Sequence, residues 1–363
     1  MRGLYVHVPF CRSKCGYCDF ASEAGRGELV PAYLDALAAE AGRYRALEGS
    51  FDTLYVGGGT PSLLSGEQLE RLVSIIRGLT GPVAALKEAT FEANPESLTA
   101  AKAVLLRRAG FGRASLGLQA CQDRLLKALG RPHRYADFLR AYGALREAGF
   151  DNVSADLMTG LPVQTAEDFD DSLRTLLELL PEHVSFYALE VHEGTAFGAA
   201  GVKEAPDEAA EMYERGSAAL EAAGLARYEI SNFARPGRES LHNLNYWEQG
   251  EYLGLGPAAA SYLDGERRAN PAGLDAYLAA AAPGAAFPPE YAERLEGRAK
   301  KAERMMLGLR LAAGIELTDD IFIEFGGEIG RLLEAGLVQK ENGRLRIRPE
   351  KFYLANAVFR EFV

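Results

Sequence analysis

The chain has 363 residues, of which 48% are hydrophobic and 25% charged, so it is long enough for a large core and two domains. Its net charge of −11 at pH 7 is unfavourable for general nucleic-acid binding, which depends on attraction to phosphates. Four cysteines do not make a disulfide framework, and no apolar run is long enough to span a membrane. The first residues show no signal-peptide pattern, so a cytoplasmic protein is expected.

Short β-rich runs alternate with stretches of helical apolar spacing over the first two thirds of the chain. The predicted strands are Leu4–Val8, Thr53–Val56, Thr90–Glu92, Arg113–Leu118, Asn152–Leu157 and Val184–Leu189. The predicted helices are Val30–Leu47, Glu67–Leu79, Ala100–Arg108, Tyr135–Ala148, Glu167–Leu180 and Asp207–Ala223. Repeated strand–helix order indicates parallel βαβ units with right-handed crossovers. The predicted fold class is therefore α/β, a partial parallel barrel of the (β/α)6 type.

The pattern changes in the last third of the chain. Ala269–Pro289 is rich in Ala, Pro and Gly and is interpreted as a linker that contains a candidate helix at Leu274–Ala282. Beyond it, Leu295–Leu311 and Ile321–Gly336 have helical spacing. Two short runs around Glu341-Asn-Gly343, namely Leu337–Lys340 and Arg344–Ile347, predict a hairpin. Helices followed by a hairpin indicate a small winged-helix-like domain, and the predicted divisions are 1–235, 236–290 and 291–363.

The strongest motif is the run Tyr5-Val-His-Val-Pro-Phe-Cys-Arg-Ser-Lys-Cys-Gly-Tyr-Cys-Asp-Phe20, with C-x3-C-x2-C spacing. Cys11, Cys15 and Cys18 cannot complete a four-ligand zinc site. They are suited to hold three irons of a cubane cluster, which leaves the fourth iron open to a small molecule. The alternative is three buried structural thiols. Phe10, Tyr17 and Phe20 are expected to shield the cluster from water.

Polar and glycine features follow the next predicted strands, where the carboxyl ends of a parallel barrel meet. They are Gly57-Gly-Gly-Thr-Pro61, Glu92, Gln119 and Asp156. The glycines allow backbone amides to approach a ligand closely. Taken singly, the same residues also fit a turn, a helix-terminal charge and a helix cap.

The cysteine loop resembles that of radical S-adenosylmethionine (SAM) enzymes, in which the open iron chelates the amino and carboxylate groups of SAM. An electron from the cluster then cleaves the sulfonium to give a 5′-deoxyadenosyl radical. Leu116–Ala120, Leu129–His133 and Ala155–Thr165 extend the resemblance, from residue 4 to the C-terminus, to one branch of that family. This branch holds oxygen-independent coproporphyrinogen III dehydrogenases and heme chaperones of porphyrin metabolism. The resemblance implies SAM contacts from Tyr5, Gly58, Gly59, Thr60, Glu92, Gln119, Arg131 and Asp156.

His242-Asn-Leu-Asn-Tyr246 matches the HNxxY motif that marks the heme chaperones and is absent from the dehydrogenases. The resemblance therefore implies heme binding by His242 and Tyr246. From the residues alone, a histidine in a polar loop fits a heme ligand or a satisfied structural side chain. His183 and His192 are predicted at the surface or in loops, and Cys121 as a small buried thiol.

Two departures separate the chain from the dehydrogenase pattern. Phe20 stands where that enzyme has a further cysteine, and only ten residues precede Cys11. We expect a heme chaperone that passes heme to respiratory proteins and carries a 4Fe-4S cluster and SAM. The alternative is a coproporphyrinogen III dehydrogenase, an activity not expected here; whether the protein is otherwise an enzyme stays open.

A third hypothesis is a nucleic-acid-associated protein that uses the basic wing of the C-terminal domain, with Lys340, Arg344, Arg346 and Arg348. A solvated hairpin or a partner-docking face is preferred, because the chain is acidic overall. The expected partners are heme, heme-accepting respiratory proteins, with the membrane surface as a candidate place of transfer, and an electron donor for the cluster. No specific nucleic acid is expected.

Overall fold

The chain forms an open, mostly parallel sheet wrapped by helices and followed by a smaller helical domain. The computed structural model describes residues 1–282 and 287–362. Its strands are β1 (Arg2–Val8), β2 (Phe10–Cys11), β3 (Glu23–Ala24), β4 (Thr53–Gly58), β5 (Glu88–Ala93), β6 (Arg113–Gln119), β7 (Val153–Thr159), β8 (His183–Ala188), β9 (Ala226–Arg227), β10 (Asn232–Ala234), β11 (Glu251–Leu255), β12 (Ala260–Leu263), β13 (Glu266–Ala269), β14 (Tyr291–Arg294), β15 (Ile315–Glu316), β16 (Val338–Glu341) and β17 (Arg344–Ile347). Its helices are α1 (Val30–Gly42), α2 (Gly66–Thr80), α3 (Ala100–Ala109), α4 (Asp123–Ala128), α5 (Tyr135–Glu147), α6 (Ala166–Glu178), α7 (Ala196–Ala199), α8 (Pro206–Ala222), α9 (Leu241–Trp247), α10 (Leu274–Ala281), α11 (Gly297–Gly308), α12 (Asp319–Glu334) and α13 (Ala355–Phe359).

The predicted partial barrel is confirmed. Strands β1, β4, β5, β6, β7 and β8 pair in parallel in that order, which is the order of the predicted units. The six predicted helices also form, although the first ends at Gly42 and a 3-10 turn covers Arg45–Leu47. All seven residues of the central strand β6 are buried, as expected for a parallel sheet covered by helices. Because the strands are parallel, their carboxyl ends meet at one rim.

The sheet continues on both sides of these six strands. Strand β11 pairs in parallel with β1, β12–β14 follow in antiparallel pairing, and β10 and β9 extend the sheet beyond β8. Leu253 and Leu255 of β11 are fully buried, so this strand belongs to the apolar core. The candidate helix in the predicted linker forms as α10, and residues 283–286 of that linker lie outside the described residues. The three predicted divisions stay a prediction.

The C-terminal helices and hairpin form as predicted. Helices α11 and α12 precede the hairpin β16–β17, and β15 adds a third strand to it. The basic side chains of the wing contact the protein itself: Arg346 pairs with Glu341, and the Lys340 ammonium lies 4.6 Å from the centre of the Phe322 ring. Among the described residues, no helix combines the length and the apolar character that crossing a membrane requires.

Candidate cofactor site

A cavity of about 470 Å³ opens at the carboxyl ends of the barrel strands. It brings together most of the residues that the sequence singled out. Those that line it are Cys11, Cys15, Cys18, Gly58, Gly59, Thr60, Glu92, Gln119, Arg131 and Asp156. Right-handed βαβ crossovers place each of these strand ends at the same rim, which explains why residues so far apart in sequence share one cavity.

The cysteine loop is fixed by backbone hydrogen bonds. The Gly16 amide donates to the Leu129 carbonyl (2.9 Å), and the Phe197 amide donates to the Gly16 carbonyl (2.7 Å). Among the described residues, no three His, Cys, Asp or Glu side chains are grouped so that they could hold a metal ion together. The three loop thiols instead line one cavity, an arrangement that fits a multi-iron cluster with one thiolate for each of three irons.

Two donors lie beside the cysteine sulfurs. The Thr60 hydroxyl lies 3.5 Å from Cys11 Sγ, and Arg131 Nη1 lies 3.7 Å from Cys15 Sγ. Hydrogen bonds to sulfur help to set the reduction potential of an iron–sulfur cluster. Of the three aromatic residues expected to shield the cluster, Tyr17 and Phe20 line the cavity. Phe10 does not, because it packs in the core.

The glycine run makes a close backbone approach between β1 and the cysteine loop. Gly58 has φ of 108°, and a Cβ at this position would lie 2.7 Å from the His7 imidazole. A Cβ at Gly59 would lie 2.8 Å from the Phe10 carbonyl oxygen. Only glycine avoids both the strained backbone and these contacts. The glycines thus permit a close backbone approach at the cavity, and the contact of their amides with a ligand stays a prediction.

The two carboxyl groups predicted to contact SAM, Glu92 and Asp156, both line this cavity. Burial raises the pKa of Glu92 to about 7. Two hydrogen bonds oppose this shift: Oε1 accepts from the Tyr55 hydroxyl (2.5 Å), and Oε2 accepts from the Gly58 amide (3.2 Å). Burial also raises the pKa of Asp156, which accepts from the Ser115 hydroxyl at 3.4 Å. Desolvated carboxylates favour a cationic ligand, because a positive charge would stabilise their ionised form.

Gln119 and Arg131 complete the predicted set. Gln119 has φ of 70° at the end of β6, beside a break in the pairing register, and its Oε1 accepts from the Tyr187 hydroxyl at 3.3 Å. A non-glycine residue in this region is strained, and such strain clusters at functional sites. Arg131 donates from Nη2 to Asn94 Oδ1 (2.8 Å), while its buried Nε has no partner among the described residues. A guanidinium with a spare donor is suited to a carboxylate.

Tyr5 is the exception among the predicted SAM contacts. It is not among the residues that line the cluster cavity, because it lies in the middle of β1, and its hydroxyl hydrogen-bonds to His7 Nδ1 (2.9 Å). It lines a second cavity of about 280 Å³ with Tyr246, Trp247 and Tyr252. Sequence reasoning missed several residues of the first cavity, among them Tyr55, Asn94, Ser115 and Tyr187. Of these, Asn94 had a local signal, since it lies two residues after Glu92, at the end of the same predicted strand.

The HNxxY residues form a helix rather than the predicted loop. His242 lies on α9 and is 1% exposed, with Nδ1 2.8 Å from the Thr53 hydroxyl and Nε2 2.8 Å from the Tyr246 hydroxyl. Burial lowers the pKa of His242 to about 3, so the ring is neutral at pH 7. The loop prediction is wrong because Glu88 accepts from the amides of Leu241 (2.8 Å) and His242 (3.2 Å) and so caps a helix.

The predictions for His183 and Cys121 have different outcomes. The surface prediction for His183 is wrong: the ring is fully buried on β8, between the Ser154 hydroxyl (2.7 Å) and the Tyr228 hydroxyl (2.8 Å). Cys121 lies outside the cluster cavity, and burial raises the pKa of its thiol to about 12. An un-ionised, partly buried thiol agrees with the interpretation of Cys121 as a small apolar side chain.

Comparisons with known proteins agree with this geometry. Residues 5–176 match the Radical SAM superfamily. The chain is 37% identical to the heme chaperone HemW of Bacillus subtilis (strain 168), over 100% of this chain and 99% of that protein. It is 40% identical to the heme chaperone HemW of Escherichia coli (strain K12), over 70% of this chain and 68% of that protein.

A solved structure of coproporphyrinogen III oxidase (HemN) from Escherichia coli, described as a radical SAM enzyme, superposes with a TM-score of 0.85. The match covers 99% of this chain and 89% of that one at 24% identity, so it shows the fold, a barrel core with a C-terminal domain. The chain therefore belongs to the radical SAM superfamily and, within it, to the family of the HemW proteins.

Proposed function

We propose that this protein is a cytoplasmic heme chaperone that binds heme and transfers it to respiratory hemoproteins while carrying a 4Fe-4S cluster and SAM. The observation that carries the proposal is the 37% identity to a HemW protein over the entire length of both chains. A match of this extent includes the cysteine loop, the barrel rim and the HNxxY helix together.

The cluster cavity supports the cofactor part of the proposal. Cys11, Cys15 and Cys18 would hold the cluster, which supplies one-electron chemistry when bound. For SAM, the glycine loop offers backbone amides, and the two carboxyls offer partners for the amino group and the ribose hydroxyls. Arg131 offers a guanidinium to the SAM carboxylate. Gln119 and Thr60 would add polar contacts from the same rim.

For heme binding, the geometry gives the two motif residues, His242 and Tyr246, different roles. Both ring nitrogens of His242 already have partners, so we propose that this histidine holds α9 and Tyr246 in place. Tyr246 is the more accessible of the two motif residues, since it lines the second cavity beside Trp247. This assignment favours the structural alternative for His242 over direct ligation of the iron.

Anaerobic reconstitution with iron and sulfide, followed by heme titration and transfer to an apo-hemoprotein of the respiratory chain, tests the proposal. We expect a saturable Soret shift on heme titration. We also expect the apo-hemoprotein to regain activity faster with the heme-loaded chaperone than with heme-loaded albumin. The same sample is incubated with coproporphyrinogen III, SAM and a reductant. Robust decarboxylation there would support the dehydrogenase alternative and overturn the chaperone.

A further inference from the structure

A third cavity, of about 470 Å³, lies between the barrel and the C-terminal domain. Its barrel wall includes Tyr187 and Ala188 at the end of β8 and Tyr213 of α8, and its other wall includes Arg310 and Phe352. Tyr187, Ala188 and Glu190 also line the cluster cavity, so the two cavities adjoin. A ligand in the third cavity would therefore lie next to the proposed SAM site.

Arg310 is the distinctive group of this cavity. Its side chain has no hydrogen-bond or ion-pair partner among the described residues, and its Nε is shielded from solvent. The guanidinium instead stacks 4.3 Å from the centre of the Trp247 ring. A half-buried cation without a partner is unfavourable, because desolvation is not repaid by pairing. An anion that arrives with a ligand would supply the missing partner.

The acidic groups around Arg310 do not take that place. Glu229 is buried and accepts from the Ser231 amide at 3.0 Å, and burial raises its pKa towards the neutral form. Glu190 is exposed at the rim and lies 3.6 Å from His192. Burial lowers the pKa of Arg310 even with both glutamates nearby. Glu204, which also lines the cavity, accepts from the Val191 amide (2.6 Å), so none of these three carboxyls is paired with the guanidinium.

Among the other wall groups, two tyrosine rings offer a surface for a flat ligand. Tyr187 and Tyr353 are partly exposed at the cavity, and their hydroxyls are engaged by Gln119 Oε1 and the Pro206 carbonyl, whereas Tyr213 and Phe352 are buried, with the Arg227 guanidinium over both rings. The rings of Tyr187 and Tyr353 therefore present apolar faces. A planar macrocycle that carries carboxylates combines both requirements, and heme, with its propionates, has this chemistry.

We propose that the Arg310 guanidinium binds a propionate of heme in this third cavity. The proposal rests on the heme-chaperone function above and deepens it by assigning a carboxylate site. Arg310 would connect the HNxxY helix with the third cavity, since it stacks on Trp247 of that helix and lines the cavity that adjoins the cluster cavity. The site would be selective for a tetrapyrrole with free acid groups.

The test compares ferric heme with its dimethyl ester, which keeps the macrocycle and lacks the charges. Soret titrations are made with the wild type, Arg310→Gln, Arg310→Lys and Arg304→Gln, all with reconstituted cluster. Arg304 is an exposed arginine of the same C-terminal domain and serves as the control. A charged hydrogen bond corresponds to roughly tenfold or more in affinity. We expect Arg310→Gln to weaken heme binding by about that factor and ester binding hardly at all, with Arg304→Gln unchanged and Arg310→Lys intermediate.

Equal binding of heme and ester by the wild type would overturn the Arg310 site while leaving the chaperone proposal standing. Absence of saturable heme binding by the wild type would instead overturn the chaperone proposal. If Arg310→Gln misfolds, as judged by thermal midpoint and iron content, Arg310→Lys decides. An unchanged preference for heme over ester in that variant, with heme affinity equal to the wild type, contradicts the assignment.

Discussion

Replacing His242 by alanine separates a structural histidine from a heme ligand. The substitution leaves the fully buried Thr53 hydroxyl and the Tyr246 hydroxyl without their 2.8 Å partners. Each buried polar group left unpaired costs roughly 1–3 kcal/mol, and the space of the lost ring adds to this. We expect His242→Ala to lower the free energy of unfolding by about 3–5 kcal/mol at pH 7, a large part of the stability of an ordinary protein.

The loss of unfolding free energy caused by His242→Ala should be smaller at low pH. The pKa of His242 is about 3 in the folded protein and about 6.5 in an unfolded chain, so the unfolded state binds the extra proton between these values. Wild-type stability from this group is therefore lost as the pH falls below 6.5. Between pH 7 and pH 5 the loss is about 2 kcal/mol. Glu40 and Glu92, whose pKa values are raised to about 7, have the opposite pH dependence, so the measure is the difference between wild type and variant.

Urea denaturation at pH 7 and pH 5, followed by circular dichroism, measures both effects. His192→Ala removes an exposed histidine and should change stability by less than about 0.5 kcal/mol at either pH. Soret spectra of heme bound to His242→Ala should keep the wild-type band positions. A variant that is as stable as the wild type but has an altered Soret band would refute the structural reasoning and identify His242 as an iron ligand.

Three further outcomes follow from the cluster cavity. Cys15→Ala, as for either of the other loop cysteines, should abolish the 4Fe-4S content in iron and sulfide analysis, whereas Cys121→Ala should keep it; iron retained in the first variant contradicts the ligand set. SAM should perturb the electron paramagnetic resonance spectrum of the reduced cluster, and Gly58→Ala should weaken that effect because a Cβ there would lie 2.7 Å from the His7 imidazole. With the pKa of Glu92 raised to about 7, SAM affinity should fall up to about tenfold per unit as the pH drops below 7. This dependence should vanish in Glu92→Gln, and an unchanged profile there would exclude Glu92 as the titrating partner.

The barrel and its rim were predictable because their signals are local and repeated. Each strand–helix unit carries its own periodicity, and parallel crossovers force the carboxyl ends to one edge. A polar residue at the end of a strand, such as Asp156, could therefore be placed without knowing its contacts. Strand β13 was missed because Glu266–Ala269 is short and lacks alternation. This strand forms because β12 and β14 pair with it on both sides, not because its residues have a high strand propensity.

The environment of the histidines could not be predicted for a different reason. His242 is bonded to Thr53, 189 residues away, and its helix is capped by Glu88, 154 residues away. Nothing within a few residues of the HNxxY run indicates these partners. Arg310 had no sequence signal either, since its distinguishing property is the lack of a partner in the folded protein.

The positions of these groups determine how far a bound heme would lie from the cluster. The His242 ring lies beside Gly3 and Thr53 at the amino ends of β1 and β4, whereas the cysteine loop follows the carboxyl end of β1. At ~3.3 Å per residue, a strand of this length separates the two ends by roughly 16–20 Å. Heme bound to His242 itself would thus lie at the opposite end of the barrel strands from the cluster. Trp247, on the same helix, contacts Arg310, and the cavity of Arg310 adjoins the cluster cavity. This contact gives the motif helix a physical connection to the cluster rim without requiring His242 to touch the iron.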